Sequence, residues 1–307
     1  MKAIQLKQYG GPEQLVLTEV PKPQAKPGQV VVRIFATSFN PVDPKRTSGD
    51  MRQVFPIEFP FIPGGDFSGV IDSIGEGVGD FEVGDEVYGY SMPGGAYAEF
   101  VAVDPGVVAR KPVSLNHVEA ASLALVAQTA SQALSEAKPS AGQTILIHGA
   151  GGAVGGVAVQ LAHQTGARVI ATASAESQAR VRQYGADQVI DYKSTPFESI
   201  VKDVDVVLDT IGGDVQQRSF SVLKPGGLLL AMTQPPSQEK AAEHHVRAMM
   251  LFTKPAAANL QTLAAQIDAG KIKPFVGKTA PLSSVAKVWA DLRKQHVEGK
   301  IVFIVKE

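Results

Sequence analysis

The run ILIHGAGGAVGGVAVQLA, from Ile145 to Ala162, constrains this chain more than any other segment. An apolar strand ends in a glycine-rich turn, and the turn opens directly into an apolar helix. A dinucleotide fingerprint requires that order. Its three positions are Ala150, Gly152 and Gly155, so alanine stands where the first glycine is usual. The tight turn is expected to bring the backbone N–H groups of Gly152, Ala153 and Val154 toward a pyrophosphate at the helix N-terminus. Gly155 and Gly156 leave room for the helix to lie close to the sheet. The competing reading is a glycine-rich turn that binds nothing, and the flanking strand and helix argue against it.

Which dinucleotide fits depends on the end of the next strand. An NAD site places a carboxylate there to accept from the ribose 2′-hydroxyl. This chain has Ala173-Ser174 instead, and its first carboxylate is Glu176. A serine with basic residues nearby suits a 2′-phosphate. Arg180 and Arg182 follow on the next helix, and Tyr192 and Lys193 follow the third strand. Each arginine taken singly reads more readily as part of a solvated helix face. The missing carboxylate therefore carries the argument, and it favours NADP over NAD.

From Gln143 onward, strands alternate with helices of about ten residues, which implies βαβ units and a parallel, doubly wound sheet. The strands are TILIHG, ARVIATAS, DQVIDY, VDVVLDTIG and GGLLLAM. The first 113 residues differ. GQVVVRIFAT, SGVIDSIG, DEVYGY and GAYAEFVAV are short β-branched or aromatic runs between Gly, Pro and Asp turns, and the segment reads as all-β. Residues 116–137 read as helix, as do 260–270 and 285–295, and KIVFIV closes the chain as a strand. Trp289, the single tryptophan, falls on the helix 285–295 and reads as core.

Composition removes several functional classes. With 29 basic and 30 acidic side chains there is no basic footprint for nucleic acid. There is no cysteine, so no disulfide, thiol nucleophile or cysteine-ligated metal is available. His148, His244, His245 and His296 show no metal-like spacing, and no Ser–His–Asp arrangement is evident. The most apolar stretch, AASLALVAQTA, is too short to span a bilayer. The expectation is a soluble cytoplasmic protein with no membrane partner.

Further blocks carry a family resemblance. SFNPVDPKRTSG, FPFIPGGDFSGVIDSIGEGV, FEVGDEVYG, GGAYAEFVAV, GADQVIDY, DTIGG, LKPGG and HVEGKIVFIV stand in order along nearly the whole chain. The chain resembles the zinc-independent quinone oxidoreductases of the medium-chain dehydrogenase/reductase superfamily, together with the related enone and alkenal reductases. The resemblance implies an α/β protein in two domains. One is a GroES-like β-barrel domain over 1–121 and 265–307; the other is a Rossmann domain with a doubly wound parallel sheet over 122–264. Cofactor and substrate would lie in a cleft between them, and the protein would be a homodimer joined through edge strands of its Rossmann sheets. Zinc-dependent relatives carry Gly-His-Glu where this chain has Gly64-Gly65-Asp66. Their catalytic cysteine and cysteine-rich lobe are missing as well, so no metal site is expected.

The resemblance also implies site residues. Asn40 matches an asparagine near the nicotinamide and the substrate oxygen, where its amide can donate as negative charge develops; alternatively it caps the loop before Pro41. Asp43 orients that loop or Lys45, and Lys45 reaches substrate, unless the two form a surface ion pair. Thr129, Thr210, Gly212 and Phe252 are expected around the cofactor, with Ala150, Gly152, Ala153, Val154, Gly155, Ser174, Arg180 and Tyr192. The expected activity is NADPH-dependent reduction of quinones or α,β-unsaturated carbonyls. The alternative is a non-catalytic NADP(H)-binding protein of the same fold. The quinone-versus-enone choice rests on the loops 48–60 and 91–95, which stay open.

Overall fold

The computed structural model describes residues 1–292 and 297–306. They divide into two compact units: Met1–Leu125 with Pro255–Gly270 and Pro274–Glu307, and Val126–Lys254 with Lys271–Lys273. His296 and the last turn of the helix expected over 285–295 lie outside the described residues.

The first unit begins with a two-stranded ribbon, β1 (Lys2–Gln5) and β2 (Val16–Glu19). Next come β3 (Val30–Ser38), α1 (Val42–Thr47), β4 (Asp66–Ile74), β5 (Glu86–Tyr90), β6 (Phe100–Val103) and β7 (Val108–Arg110). β-Branched runs make these strands because a pleated surface accommodates their stiff side chains. The all-β expectation for this stretch misses α1. Its sequence, VDPKRT after Pro41, hides a helix because both prolines fall in the opening turn, where a missing N–H costs no bond. The long helix α2 (His117–Ala137) follows, and the division between the units falls within it, after Leu125.

The second unit is built on a six-stranded parallel sheet. Its elements are β8 (Thr144–His148), α3 (Ala153–His163), β9 (Arg168–Ala173), α4 (Gln178–Gln183), β10 (Gln188–Asp191), β11 (Val204–Asp209), α5 (Gly213–Ser219), β12 (Leu223–Ala231), α6 (Gln238–Glu243) and β13 (Arg247–Met250). The strand order is β10-β9-β8-β11-β12-β13, with every pairing parallel. Order reverses between β8 and β11, and ligands of open α/β sheets bind at the carboxyl ends beside such a reversal. Leu146, Ile170, Val207 and Leu229 fill the core on one face. β13 was not read from the sequence as a strand: RAMM is short and pairs on one side only, so it lacks the unbroken apolar signature of a central strand.

The chain then returns to the first unit with α7 (Ala257–Asp268), β14 (Val276–Pro281), α8 (Val285–Leu292) and β15 (Lys300–Ile304). A boundary at 264/265 would cut α7. The structure keeps the helix whole in the first unit, because the Tyr88 hydroxyl donates to the Leu260 carbonyl at 2.7 Å and the Asp268 carboxylate accepts from the amide and hydroxyl of Ser114. The main sheet of this unit runs β14-β15-β3-β4-β5-β7, with β6 also on β3. β15 pairs antiparallel with β3, Val302 opposite Ser38, and the Phe39 amide extends that ladder to the Ile301 carbonyl. Sequence ends 260 residues apart are thereby set side by side.

Candidate active site

The glycine turn follows β8, at the carboxyl edge of the second unit's sheet. Ala150 is fully buried, and its N–H donates to the Thr172 carbonyl, anchoring the turn to β9. Gly155 is where the turn demands glycine: a Cβ there would stand 2.3 Å from the Gly149 carbonyl oxygen. The Gly152 N–H is turned inward, onto the Gly149 carbonyl at 2.9 Å. The N–H groups of Ala153, Val154 and Gly155 find no acceptor among the described residues. The donors open to an anion are therefore these three, one residue further along than the sequence suggests. Aligned amides and the positive end of an 11-residue helix suit a pyrophosphate.

At the end of β9, Ser174 lies 3.4 Å (Oγ–Oγ) from Ser177. Arg180 donates to both the Ser177 hydroxyl and the Gly151 carbonyl, each at 3.2 Å, so its guanidinium is held against the turn and not out on a solvated face. The Tyr192 N–H reaches the Ala173 carbonyl, which sets its exposed ring beside the same strand end. The first carboxylate along the chain from Ser174, Glu176, is on the surface; its own backbone, Ser174 and Lys193 hold it below the usual carboxylate range. Ser174, Arg180 and Tyr192 are thus brought together at one strand end.

At the end of β11, Asp209 is buried and accepts from the amides of Ile211 and Gly212 and from Gln216 Nε2. These bonds shape the turn, and the Thr210 hydroxyl donates to the His148 carbonyl at 2.8 Å. Of the backbone expected beside the cofactor around Thr210 and Gly212, the Gly212 N–H is used internally, as is that of Ile211. Thr129 Oγ1 lies 2.8 Å from Thr253 Oγ1, and the Phe252 ring is 58% exposed. His148 sits between Thr172 and Ser219 at 3.1 Å from each, and burial pushes its pKa down to about 4.

Asn40, Asp43 and Lys45 lie in the first unit, Asn40 between β3 and α1 and the other two on α1. Asn40 and Asp43 bond reciprocally: the Asn40 N–H donates to the Asp43 carboxylate and the Asp43 N–H to the Asn40 carbonyl, each at 2.9 Å. The Tyr97 hydroxyl donates to the same carboxylate oxygen at 3.1 Å. Asp43 therefore orients the loop, while Lys45 is exposed and forms no ion pair with it. Burial above all pushes the Asp43 carboxyl up to about 7, the nearby Asp66 adding to the rise and Lys300 opposing it.

The Asn40 side chain is 2% exposed and held on both sides. Its Nδ2 donates to Asp66 Oδ2 at 2.7 Å, and its Oδ1 accepts from Lys300 Nζ at 2.6 Å. Asp66 also accepts from the Ser38 hydroxyl at 2.5 Å and the Leu125 amide at 2.8 Å. Lys300 donates further to the Phe39 carbonyl at 2.5 Å and to Asp66 at 3.1 Å. Sequence reasoning missed this role of Ser38, Asp66 and Lys300. The available signal was a lysine on the inward phase of KIVFI and an aspartate opening DFSGVI, since a charge in a buried strand needs a partner.

Two other chemistries can be weighed on the same residues. Ser68 Oγ lies 2.8 Å from His117 Nδ1, and His117 Nε2 lies 3.2 Å from Glu86. Ser68 is fully buried and its hydroxyl donates to the Val87 carbonyl, so this row is packing and not a nucleophile. Beside Gly64 and Gly65 the space is filled by aromatic rings. A Cβ on Gly64 would stand 2.2 Å from Tyr97, and one on Gly65 would stand 2.3 Å from Tyr90.

Comparison with known proteins places this geometry in a family. Residues 26–113 match the model of the alcohol dehydrogenase GroES-like domain, and residues 184–303 match that of the zinc-binding dehydrogenases. A chloroplastic NADPH-dependent alkenal/one oxidoreductase of Arabidopsis thaliana is 35% identical, over 98% of this chain and 79% of the relative. The quinone oxidoreductase of Coxiella burnetii superposes with a TM-score of 0.91 at 33% identity, covering 100% of this chain and 99% of the other. A mycobacterial structure complexed with NADPH gives 0.89 at 27% identity, over 99% and 100% of the two chains. The chain belongs to the quinone oxidoreductase and enone reductase branch of the medium-chain dehydrogenase/reductase superfamily. The zinc in the second family description does not fit the residues present. Among the described residues no three His, Cys, Asp or Glu side chains gather as a ligand set, and Tyr90 fills the place beside Gly65. No helix among them is long and apolar enough to cross a membrane.

Proposed function

We propose that this protein is an NADPH-dependent reductase that transfers hydride to a quinone or an α,β-unsaturated carbonyl without zinc. The observation that carries the reading is the trio of unspent amides at Ala153, Val154 and Gly155, with Arg180 tied to the same turn. A relative 35% identical over nearly the whole chain is named an NADPH-dependent alkenal/one oxidoreductase. The three amides hold the pyrophosphate, and Ser174 and Arg180 bind the 2′-phosphate, with Tyr192 alongside. When bound, NADPH supplies the hydride and its electrons. Asn40 has one Nδ2 hydrogen beyond the bond to Asp66, and that N–H donates to the substrate oxygen as it gains negative charge. Asp43 fixes the backbone of Asn40, and water delivers the final proton. Thr129, Thr210, Gly212 and Phe252 border the nicotinamide end. The open edge of β13 supports a homodimer through sheet extension.

Initial rates of NADPH oxidation with a panel of quinones and enones, NADH in parallel, test the reading. Turnover with NADPH well above that with NADH is the expected result. Tight NADPH binding with no acceptor reduced would make the protein a binding protein.

A further inference from the structure

We propose that Lys300 is a positioning residue that, with Asp66 opposite, fixes the Asn40 amide so that an N–H and not the carbonyl oxygen is left for the substrate. The inference rests on the reading of Asn40 as the oxyanion donor.

An ammonium only donates and a carboxylate only accepts. The Asn40 amide is bonded to one of each, Oδ1 to Lys300 at 2.6 Å and Nδ2 to Asp66 at 2.7 Å. Rotated by half a turn, the same amide would set its oxygen against the carboxylate and its NH2 against the ammonium. Both bonds would be lost and two repulsions gained, in a place where Asn40, Asp66 and Lys300 are all at most 4% exposed. The orientation of the amide follows from the charges beside it. A lone asparagine in a loop would have no such preference.

All three Lys300 protons have acceptors: Asn40 Oδ1, Asp66 Oδ2 and the Phe39 carbonyl. The third bond holds the backbone one residue before Asn40. The β15–β3 register delivers the lysine here, since Val302 pairs with Ser38 and the ladder runs on through Ile301 and Phe39. The charge on Oδ1 also draws electron density from the amide, which makes the remaining Nδ2–H a stronger donor. Two further groups face the cluster: the Ser38 hydroxyl donates to Asp66 Oδ2 and the Leu125 N–H to Oδ1, so of the four hydrogen bonds on the carboxylate Asn40 supplies one.

Lys300→Met alone would strand a buried carboxylate, so the test uses the charge-balanced pair Lys300→Met with Asp66→Asn. In that pair the amide is free to turn. kcat and KM for the best acceptor, the NADPH dissociation constant and the Trp289 fluorescence melt are measured for four proteins: wild type, Asn40→Ala, the pair, and the pair with Asn40→Ala. The pair is expected to lower kcat about 10-fold or more in the wild-type background. In the Asn40→Ala background it should change kcat by less than about twofold, because the residue it acts through is gone. NADPH affinity stays unchanged throughout. In the NMR spectrum the Asn40 side-chain amide, identified by its loss in Asn40→Ala, should exchange with solvent faster in the pair. Equal slowing in both backgrounds, or full turnover in the pair while Asn40→Ala is slow, overturns the positioning role and leaves the donor reading standing. Full turnover in Asn40→Ala by itself overturns the donor reading, and the role of Lys300 falls with it.

Discussion

Asp43→Asn should stabilise the first unit at neutral pH and leave it unchanged in acid. The Asp43 carboxyl is 4% exposed, and burial pushes its pKa from the ordinary 3.8 up to about 7. Between those values the folded protein holds a proton that the unfolded chain has released. Stability associated with this group is therefore fully present below about pH 4 and is lost as pH rises through about 7. Each tenfold change in proton affinity is worth about 1.4 kcal/mol, so the loss is about 4 kcal/mol when complete. Asparagine keeps the shape, and its Oδ1 can still accept from the Asn40 N–H and the Tyr97 hydroxyl. The variant should match wild type near pH 4 and exceed it by about 2–4 kcal/mol at pH 8. His148 acts in the opposite sense, because its pKa is lowered to about 4 and its contribution grows between about pH 4 and 6.5. It is common to both proteins and cancels in the difference. Urea unfolding followed by fluorescence isolates the right unit, since Trp289, the only tryptophan, has its ring 6.0 Å from that of Tyr97. A difference that does not grow with pH would refute the reasoning.

Three further outcomes are expected. Arg180→Ala should weaken NADPH binding about 10- to 100-fold, the worth of one charge-assisted hydrogen bond to a phosphate, and leave NADH unchanged; titration with both cofactors checks this, and equal losses would remove Arg180 from the 2′-phosphate site. Gly155→Ala places a Cβ 2.3 Å from the Gly149 carbonyl oxygen, a rigid backbone atom, so it should cost about 1–3 kcal/mol of stability and weaken NADPH binding; melting with and without cofactor reads both. Gly65→His should not restore a zinc site, because its Cβ would stand 2.3 Å from the Tyr90 ring. Its melting temperature should fall and should not rise again on adding zinc.

The local features of this protein were legible in its residues. The glycine turn is set by neighbours in sequence: an apolar strand, small residues where backbone meets backbone at Gly155, and a helix able to start at once. The alternation of strands and helices over 144–231 gave the parallel sheet for the same reason, since each element carries its own periodicity. The missing carboxylate at Ser174 could likewise be read directly. Other features were masked locally: α1 by its two prolines, and β13 by its shortness at the sheet edge.

What only the tertiary structure decided is which polar groups remain available. The Gly152 amide looks free in the sequence but is spent on Gly149, and those of Ile211 and Gly212 are spent on Asp209. Asn40 reads as a single loop asparagine until β15 brings Lys300 across from the far end of the chain and β4 sets Asp66 on its other side. Periodicity and turn chemistry act over a few residues and leave their mark in sequence. A hydrogen-bond partner 26 or 260 residues away leaves none, because the strand register that delivers it is a property of the packed sheet.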